Sequence, residues 1–414
     1  MPSPTFCIAG AGLTGGRAAA ALRERGFDGR LVLVGAESEP PYERPPLSKA
    51  YLRGELPLAK LLLRSPQSYS ELAIEWHPQT TASAIDLHQR KLRLANGEPL
   101  AFDRLLLATG ARPRNLDIPG SGLAGVVTYR TLADADSLRQ ELERRPQVVV
   151  VGGGFLGTEL AVAARRRGCQ VTVLEAGDAL VAPLGPLVSS YCLDLHREAG
   201  VEVILQQTAI RFRGESRVEA VELSGGHWLP CDLALICVGA EPNSQLAQKA
   251  GLATDPGVLV GDRCQTSSEA VFAAGDVASW WSPRWQRRLR VEHYDNAHQQ
   301  GLFAAGAMLG VAAAYDPVPY FWTEQYEALI QQVGIVGGPT EALLRGDPQS
   351  GQFTVFYLAE GMLSGCVAVN RFPDLAAARR LITARVGVSR ELLADPQLDL
   401  RAWSLEAAEA AGGA

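Results

Sequence analysis

Closely spaced cysteine pairs and long apolar runs are both missing from this sequence of 414 residues. Its seven cysteines form no C-x-x-C pair, and their number is odd, which is typical of reduced, buried thiols rather than of disulfides or zinc ligands. No stretch reaches the ~20 apolar residues of a membrane span. No basic segment precedes the apolar run at 6–9, so no signal peptide is predicted. We expect a cytoplasmic protein without a metal or a membrane partner.

An excess of basic charge is missing as well. The 39 basic and 45 acidic side chains leave a formal net charge of −6. Such a balance gives no general attraction to nucleic acid or to anionic lipid. We therefore expect no nucleic-acid partner.

An internal repeat is the main feature that is present. Residues 6–26 align without a gap with residues 148–168, and eight of the 21 aligned positions are identical. Each copy is an apolar run of strand length, a Gly-rich turn and a run with helical spacing, and a second apolar run follows at 31–35 or at 171–174. The repeat predicts two βαβ units, each carrying a G-x-G-x-x-G motif.

The motif glycines mark two predicted dinucleotide sites. The first glycine allows a tight turn, the second lets a pyrophosphate approach the backbone, and the third brings helix and strand together. The helix N-terminus adds N–H donors and a partial positive charge. One such motif is often only a tight turn, but two in matched units indicate two bound dinucleotides. The glycines are Gly10, Gly12 and Gly15, and then Gly152, Gly154 and Gly157.

The acidic residue that follows each motif distinguishes the two predicted sites. Glu175 ends its strand 18 residues after Gly157, where a carboxylate accepts both ribose hydroxyls of an adenosine and repels a 2′-phosphate. No arginine follows until Arg197, so the second site is predicted to prefer NAD(H). Glu37 lies two residues beyond its strand, and either a ribose contact or a solvated loop position fits it.

Three later apolar runs end in glycine, at 105–110, 233–239 and 271–275. The carboxyl ends of parallel strands are where bound dinucleotides pass, and an acid after such a glycine can bind a ribityl hydroxyl. Together with the two motifs, these strand ends indicate FAD and NAD(H). The residues concerned are Thr109, Gly110, Gly239, Gly275 and Asp276.

The order of several segments resembles one enzyme family, the FAD-dependent ferredoxin reductases of bacterial oxygenase systems. Besides the glycine motifs, the resemblance rests on PYERPPLSKAYL (41–52), LLLATGARPR (105–114), YRTLADA (129–135), AAGDVA (273–278), RVEHYDNAHQQG (290–301) and PYFWTEQY (319–326). It covers essentially the whole chain. It implies a glutathione-reductase-like α/β fold, with two Rossmann-type dinucleotide-binding domains and a smaller α+β C-terminal domain.

Pro/Gly-rich crossings at 111–122, 239–243 and 315–321 predict the domain boundaries. The FAD-binding domain is expected at 1–114 and 241–318, and the NAD-binding domain at 115–240. The C-terminal domain is expected at 319–414, with a hairpin over 352–369 and a helix near 374–385.

The resemblance implies an NADH:ferredoxin oxidoreductase. NADH gives up two electrons together, an iron–sulfur protein accepts them singly, and a flavin can do both. The implied partner is a small, acidic iron–sulfur ferredoxin that binds transiently and serves a Rieske dioxygenase or a cytochrome P450. Two alternatives stay open. One is an NADH oxidase or a monodehydroascorbate-reductase-like flavoenzyme, and the other is an NADH-sensing flavoprotein resembling apoptosis-inducing factor.

Lys49 and Glu159 form the predicted catalytic pair. Lys49 is one of only four lysines and is expected near the flavin N5, where a cation stabilises the reduced ring, although a surface position stays open. Related NADH oxidases and peroxidases carry a redox-active cysteine in this loop, which here contains none. Glu159 is expected in the first turn of its helix. There it either faces the positive N-terminus or pairs with Lys49 beside the nicotinamide.

The resemblance implies further contacts and a docking region. FAD contacts are expected from Leu13, Thr14, Arg44, Lys49, Ala82, Arg130, Asp276 and Tyr294, and NAD contacts from Phe155, Leu156, Glu159, Glu175 and Gly239. Ala36 stands where relatives often have an acid, which leaves Glu37 for the ribose. Trp322 is expected as a third catalytic residue, in contact with FAD and between the flavin and a docked ferredoxin, or else as a buried anchor. Arg64, and a basic patch comprising Arg284, Arg287, Arg288 and Arg290, are docking candidates, although a solvated charge run also fits the patch.

Overall fold

A computed structural model describes residues 3–311, 314–338 and 340–412. The chain forms two compact units, each assembled from three stretches of sequence. Unit 1 comprises Met1–Pro46, Leu56–Arg112 and Ala240–Pro317, and unit 2 comprises Leu47–Glu55, Pro113–Gly239 and Val318–Ala414. The segment Leu47–Glu55 thus clusters with unit 2, although it lies within the stretch predicted as the first part of the FAD-binding domain.

In the first part of the chain, two strand–helix–strand units lie on either side of a run of consecutive short strands. In order, the elements are β1 (Thr5–Ala9), α1 (Leu13–Glu24), β2 (Arg30–Val34), α2 (Ala50–Arg53), α3 (Pro66–Glu71), β3 (Ile74–His77), β4 (Ala82–Asp86), β5 (Lys91–Leu94), β6 (Pro99–Ala101), β7 (Arg104–Leu107), β8 (Ala111–Pro113), β9 (Val126–Thr128), α4 (Leu132–Leu142), β10 (Gln147–Val151), α5 (Phe155–Arg166) and β11 (Gln170–Leu174). The predicted βαβ units are confirmed as β1–α1–β2 and β10–α5–β11.

The rest of the chain contains further helices and strands, and its last five strands form one antiparallel sheet. In order, these elements are α6 (Pro186–Glu198), β12 (Glu202–Ile204), β13 (Ala209–Arg213), β14 (Ala220–Leu223), β15 (Trp228–Pro230), β16 (Leu233–Ile236), β17 (Ala240–Pro242), α7 (Gln245–Lys249), β18 (Val258–Val260), β19 (Val271–Ala273), β20 (Ala278–Ser282), β21 (Arg287–Leu289), α8 (Tyr294–Met308), β22 (Tyr320–Gln325), β23 (Ala328–Gly334), β24 (Glu341–Asp347), β25 (Gln352–Ala359), β26 (Met362–Val369), α9 (Phe372–Ala384), α10 (Arg390–Ala394) and α11 (Leu400–Gly412).

Unit 1 is built on a parallel sheet with the strand order β19-β7-β1-β2-β3. Its central strands are buried almost throughout, because a parallel sheet of this kind is covered on both faces, and they therefore consist of continuous apolar residues. Helices α1 and α8 cross closely. A Cβ on Gly301 of α8 would lie 2.6 Å from the Thr14 carbonyl oxygen of α1. This crossing brings the middle of α8 to the first glycine motif.

Unit 2 contains a parallel sheet with the order β12-β11-β10-β16-β9 and an antiparallel sheet with the order β22-β23-β26-β25-β24. The predicted hairpin is confirmed as β25 and β26, which turn at Glu360 and Gly361. The predicted helix after it is confirmed as α9, which packs on this sheet. The carboxyl ends of the parallel strands and the antiparallel strand β22 position the side chains described below.

The seven cysteines are free thiols, and all but Cys237 are buried, as predicted. Burial raises the pKa of Cys7 and Cys192 to about 12, so both are protonated at neutral pH and poorly nucleophilic. Across the described ranges, no helix is long and apolar enough to cross a membrane.

Candidate functional site

The first glycine of each motif makes a turn that no other residue fits. Gly10 has φ +118° and Gly152 has φ +108°, in a region that L-residues rarely adopt. A Cβ on Gly10 would lie 2.1 Å from the Ala108 carbonyl oxygen, and one on Gly152 would lie 2.3 Å from the Cys237 carbonyl oxygen. At both motifs, the first glycine is therefore in direct backbone contact with the end of the strand that lies beside its own in the sheet.

The third and second glycines differ in what surrounds them. A Cβ on Gly15 or Gly157 would lie 1.9 Å from the carbonyl oxygen of the first glycine of the same motif, so helix and strand touch there. A Cβ on Gly12 or Gly154 would meet nothing within 4 Å.

Gly12 and Gly154 also cap α1 and α5 without a side-chain hydrogen bond to the first N–H groups of either helix. Each motif thus presents bare backbone and a helix N-terminus to open space. This cradle fits the pyrophosphate of a dinucleotide.

A cavity of about 480 Å³ opens beside the first motif in unit 1. Several predicted FAD contacts line it, together with residues of the neighbouring loops and of α7: Gly10, Val34, Ala36, Ala82, Thr109 and Lys249. Thr109 is fixed by Asn243, whose Nδ2 donates to the Thr109 carbonyl oxygen at 2.9 Å. The cavity lies where the predicted FAD site requires space.

Glu37 has protein partners of its own. The Tyr42 hydroxyl donates to Glu37 Oε2 at 2.5 Å, and Arg44 Nη2 donates to Glu37 Oε1 at 2.6 Å. Although burial opposes the charged form, the neighbouring Tyr42 and Glu37 leave the pKa of Arg44 raised overall. The structure thus joins two predicted FAD residues, Glu37 and Arg44, to each other.

Thr14, Gly275 and Asp276 lie together at the crossing of α1 and α8. A Cβ on Gly275 would lie 2.3 Å from Thr14 Oγ1, and the Gly275 N–H donates to Gln300 Oε1 at 2.8 Å. Gln300 was missed by the sequence reasoning, although it belongs to the segment 290–301 on which the resemblance rests. Asp276 is buried.

Tyr294, another predicted FAD contact, donates its hydroxyl to Glu43 Oε1 at 2.6 Å. Burial, followed by the bond to this carboxylate, raises the pKa of Tyr294 to about 12. The phenol is therefore held neutral at the start of α8.

Glu175 is fixed beside the second motif in unit 2. Its Oε2 accepts the Gly153 N–H at 2.6 Å, and its Oε1 accepts the Gly177 N–H at 2.7 Å. A carboxylate oxygen has two lone pairs, so each can accept a further hydroxyl. Gly239 also has open space where a side chain would lie, and the Arg130 N–H donates to Asp134 at the start of α4.

Lys49 and Glu159 form a buried ion pair in unit 2. Lys49 Nζ lies 2.6 Å from Glu159 Oε2, and both side chains are less than 10% exposed, at 9% and 8%. The Ser48 hydroxyl donates to the same oxygen at 2.5 Å. The two side chains thus pair with each other as predicted, and their place beside the nicotinamide stays a prediction. The expected place of Glu159 in the first turn was wrong, because α5 begins at Phe155 and Glu159 is its fifth residue.

The other oxygen of Glu159 is held by a residue that sequence reasoning missed. The Thr323 hydroxyl donates to Glu159 Oε1 at 2.7 Å. Gln325 Nε2 in turn donates to the hydroxyls of Thr323 and Thr158, at 3.0 and 2.9 Å. Gln325 Oε1 lies 3.0 Å from His196 Nε2. The TEQ of PYFWTEQY was the available signal, since Thr323 and Gln325 share one face of a strand.

Trp322 lies on the opposite face of β22. The regular pairing of β22 with β23 places Tyr320 and Trp322 on one side and Phe321, Thr323 and Gln325 on the other. The Tyr320 and Trp322 rings are 6.0 Å apart, and the Phe321 ring lies 4.2 Å from that of Phe155. Of the three predicted catalytic residues, the structure joins Lys49 to Glu159 and turns Trp322 away from them.

The basic patch is largely paired within unit 1. Arg284 lies 3.4 Å from Asp316, Arg290 pairs with Glu292, and Arg288 donates to the carbonyl oxygens of Val260 and Ser279. Arg64 pairs with Glu24. Arg287 is exposed on β21. These ion pairs reduce the positive charge that the sequence suggested for this region.

Comparison with known proteins places the chain in a family. Residues 4–301 match the pyridine nucleotide-disulphide oxidoreductase model, and residues 320–404 match the reductase C-terminal model. The biphenyl dioxygenase system ferredoxin–NAD(+) reductase component of Paraburkholderia xenovorans is 42% identical over 96% of this chain and 97% of its own length.

Two solved structures share the whole fold. The ferredoxin reductase for the CYP199A2 system from Rhodopseudomonas palustris has a TM-score of 0.94 and 37% identity, over 97% of this chain and all of its own. The covalent putidaredoxin reductase–putidaredoxin complex has a TM-score of 0.95 and 34% identity, over 99% of this chain and all of that chain. The predicted fold class and resemblance are confirmed. The chain belongs to the pyridine nucleotide-disulphide oxidoreductase family, among the ferredoxin reductases of oxygenase systems.

Proposed function

We propose that this protein is an FAD-dependent NADH:ferredoxin oxidoreductase that supplies electrons to a bacterial oxygenase. The observation that carries the proposal is the pair of matched glycine cradles, one in each unit, within a chain of the ferredoxin reductase family. Bound FAD would accept two electrons from NADH and release them singly. The chain's own residues hold the two dinucleotides and fix the charges beside them.

Unit 1 is the proposed FAD site. The Gly10–Gly15 motif would hold the pyrophosphate, and the cavity between Gly10, Ala36 and Ala82 would take the adenosine end. Asp276, on its glycine turn, would accept a ribityl hydroxyl. The proposed FAD-binding domain keeps the predicted bounds, 1–114 and 241–318.

Unit 2 contains the proposed NAD(H) site, in a domain predicted at 115–240 and followed by the C-terminal domain at 319–414. Glu175 would accept the adenosine ribose hydroxyls while its other bonds to Gly153 and Gly177 hold it in place. Its charge disfavours a 2′-phosphate, so NADH is the proposed donor. Lys49 and Glu159 stay the proposed catalytic pair, with a buried positive charge that can stabilise negative charge on a reduced ring.

The proposed partner is a small acidic iron–sulfur ferredoxin that binds transiently and carries electrons onward to the oxygenase. Relatives are named as reductases of dioxygenase systems, and a further similar protein, putidaredoxin reductase, is solved as a covalent complex with putidaredoxin. Arg287 is an exposed candidate for an electrostatic contact, and Trp322 is half-buried on β22. The predicted cytoplasmic location and the docking roles stay predictions.

Anaerobic stopped-flow absorbance tests this function on the FAD-containing protein. We expect rapid bleaching of the flavin by NADH, slow bleaching by NADPH, and fast reoxidation by a ferredoxin. Fast reduction that only oxygen or a quinone relieves would instead indicate the oxidase-like alternative. A long-lived reduced complex with NAD+ and poor turnover would indicate the NADH-sensing alternative. A purified protein without flavin would contradict the proposal altogether.

A further inference from the structure

A chain of buried hydrogen bonds leads from α6 to the Glu159 carboxylate. It runs from His196 through Gln325 to Thr323, and each of these side chains is fully buried. Thr158 of α5 accepts a side branch from Gln325 at 2.9 Å. The chain therefore connects α6, β22 and α5 within unit 2. It ends on Glu159 Oε1, whereas the bonds from Lys49 and Ser48 described above reach Oε2.

The chemistry of each group fixes the direction of these bonds. Gln325 Oε1 is a carbonyl oxygen and can only accept, so His196 must donate from Nε2. The Gln325 amide then donates to Thr323, whose single hydroxyl hydrogen is left for Glu159. The Thr158 hydroxyl is directed to the carbonyl oxygens of Gly154 and Phe155, so it too accepts from Gln325. Apart from the branch to Thr158, every donor in the chain points toward Glu159.

The state of His196 agrees with this direction. Its Nδ1 is buried and has no hydrogen-bond partner among the residues that the structure describes. Burial lowers the pKa of His196, which favours the neutral ring with a hydrogen on Nε2 alone. A neutral histidine that donates from Nε2 carries no hydrogen on Nδ1. The buried atom without a partner is therefore an acceptor, and no N–H donor is left without a hydrogen bond.

We propose that Thr323, Gln325 and His196 are positioning residues that hold the Glu159 carboxylate, and through it the Lys49 ammonium, in one fixed geometry for the reaction with NADH. This inference rests on the proposed function, since it assigns a task to the Lys49–Glu159 pair. Lys49 and Ser48 bind Glu159 Oε2 and Thr323 donates to Oε1, so bonds at both oxygens oppose rotation of the carboxylate. The strand β22 thereby sets the orientation of a charge on α5.

A matched set of variants tests the proposal. Thr323→Val removes the donor to Glu159 with little change of shape, and Thr323→Ser keeps the hydroxyl. Thr354→Val is the control, because the buried Thr354 hydroxyl donates to Asp374 at 2.9 Å in the same antiparallel sheet. Gln325→Met breaks the chain one residue earlier without touching Glu159. All four are made in the full-length, FAD-containing protein.

The first readout is anaerobic flavin reduction by NADH. We expect Thr323→Val to lower the limiting rate by about tenfold, as the loss of one hydrogen bond to a charged group allows. The NADH concentration that gives half of that rate should change little, and Thr323→Ser should restore most of the rate. Gln325→Met should lower the rate less, and Thr354→Val not at all. Equal rates in Thr323→Val and the unchanged protein, or an equal fall in Thr354→Val, overturn the proposal.

The second readout is a crystal structure of Thr323→Val, which does not depend on turnover. We expect the Glu159 carboxylate to leave its place and Lys49 to follow it. If NADH does not reduce the unchanged protein, the proposed function fails, and this structure alone decides the positioning role. An undisturbed Glu159 would then overturn it. If Thr323→Val does not fold, the rate of Gln325→Met against Thr354→Val decides instead.

Discussion

Glu175 and Glu37 follow the second strands of the two βαβ units, but their surroundings differ. Glu175 is held by two backbone N–H groups, whereas Glu37 is bound by the side chains of Tyr42 and Arg44. Backbone donors fix a carboxylate without neutralising it, and an arginine neutralises it. The charge that would select against a 2′-phosphate is therefore retained in unit 2.

Glu175→Gln tests this selection. We expect kcat/KM for NADH to fall about tenfold, because the amide has one accepting oxygen where the carboxylate has two. The value of kcat/KM for NADPH should change less or rise. Steady-state rates with both nucleotides give the ratio of kcat/KM for NADH to kcat/KM for NADPH. Glu202→Gln, which changes a carboxylate on the next strand that accepts from Thr172, is the control and should leave the ratio unchanged. An unaltered ratio in Glu175→Gln would contradict the role of its charge.

His196 predicts a specific dependence of stability on pH. Burial lowers its pKa below the ordinary 6.5, so the native state favours the neutral ring. Its contribution to the free energy of unfolding is fully present above pH 6.5 and is lost as the pH falls toward the lowered native pKa.

The comparison is with His196→Gln, whose amide can donate as Nε2 does but does not titrate. Urea unfolding from about pH 8 to about pH 5 should show a steeper loss in the unchanged protein than in the variant. Parallel curves would mean that His196 does not titrate between the native and unfolded states in this range.

At the scale of elements, the second and third glycines of each motif have different tasks, one in binding and the other in folding. Gly154 has φ −75°, which any residue adopts, and open space where a Cβ would lie. Gly157 has a carbonyl oxygen 1.9 Å from that position. The second glycine is therefore required only by a ligand, and the third is required by the contact between α5 and β10.

We expect Gly154→Ala to unfold at the same urea concentration as the unchanged protein and to raise KM for NADH by about tenfold or more, because the methyl group occupies the pyrophosphate cradle. Gly157→Ala should lower the free energy of unfolding by about 2 kcal/mol or more, since the backbone must move. Gly12→Ala and Gly15→Ala repeat the comparison in unit 1, with FAD retention in place of KM. A destabilised Gly154→Ala would contradict the assignment.

At the scale of the whole molecule, the proposed FAD site joins distant parts of the sequence. Its residues come from all three stretches of unit 1, from the first motif, from the region around Ala82 and from Asp276 and Tyr294. A ligand that binds only such an assembled site stabilises the native state by mass action.

Removal of FAD should therefore lower the stability of the protein. Restoring FAD at about 1,000 times its Kd should raise the free energy of unfolding by about 4 kcal/mol, and thermal unfolding with increasing FAD measures it. FMN is the matched control, because it lacks the adenosine end for which the cavity of about 480 Å³ is proposed. Equal stabilisation by FMN would show that this cavity does not contribute.

The sequence by itself determined the features that depend on neighbours along the chain. The strand, glycine turn and helix of each βαβ unit are close in sequence, and their apolar runs and glycine spacing record local geometry that only those residues satisfy. Glu175 was found because it comes directly after the apolar run that follows its motif. The hairpin β25–β26 was found because turn residues separate two apolar runs.

Only the tertiary structure decided which distant side chains meet. Ser48 and Glu159 are 111 positions apart and Thr323 lies 164 positions beyond Glu159, so no periodicity in the sequence relates them. Gln300, His196 and Gln325 were not found for the same reason, and the arginine patch was found but not its pairing with Asp316 and Glu292. Burial creates these contacts, because a buried polar group must find a partner wherever the packed strands and helices bring one within reach.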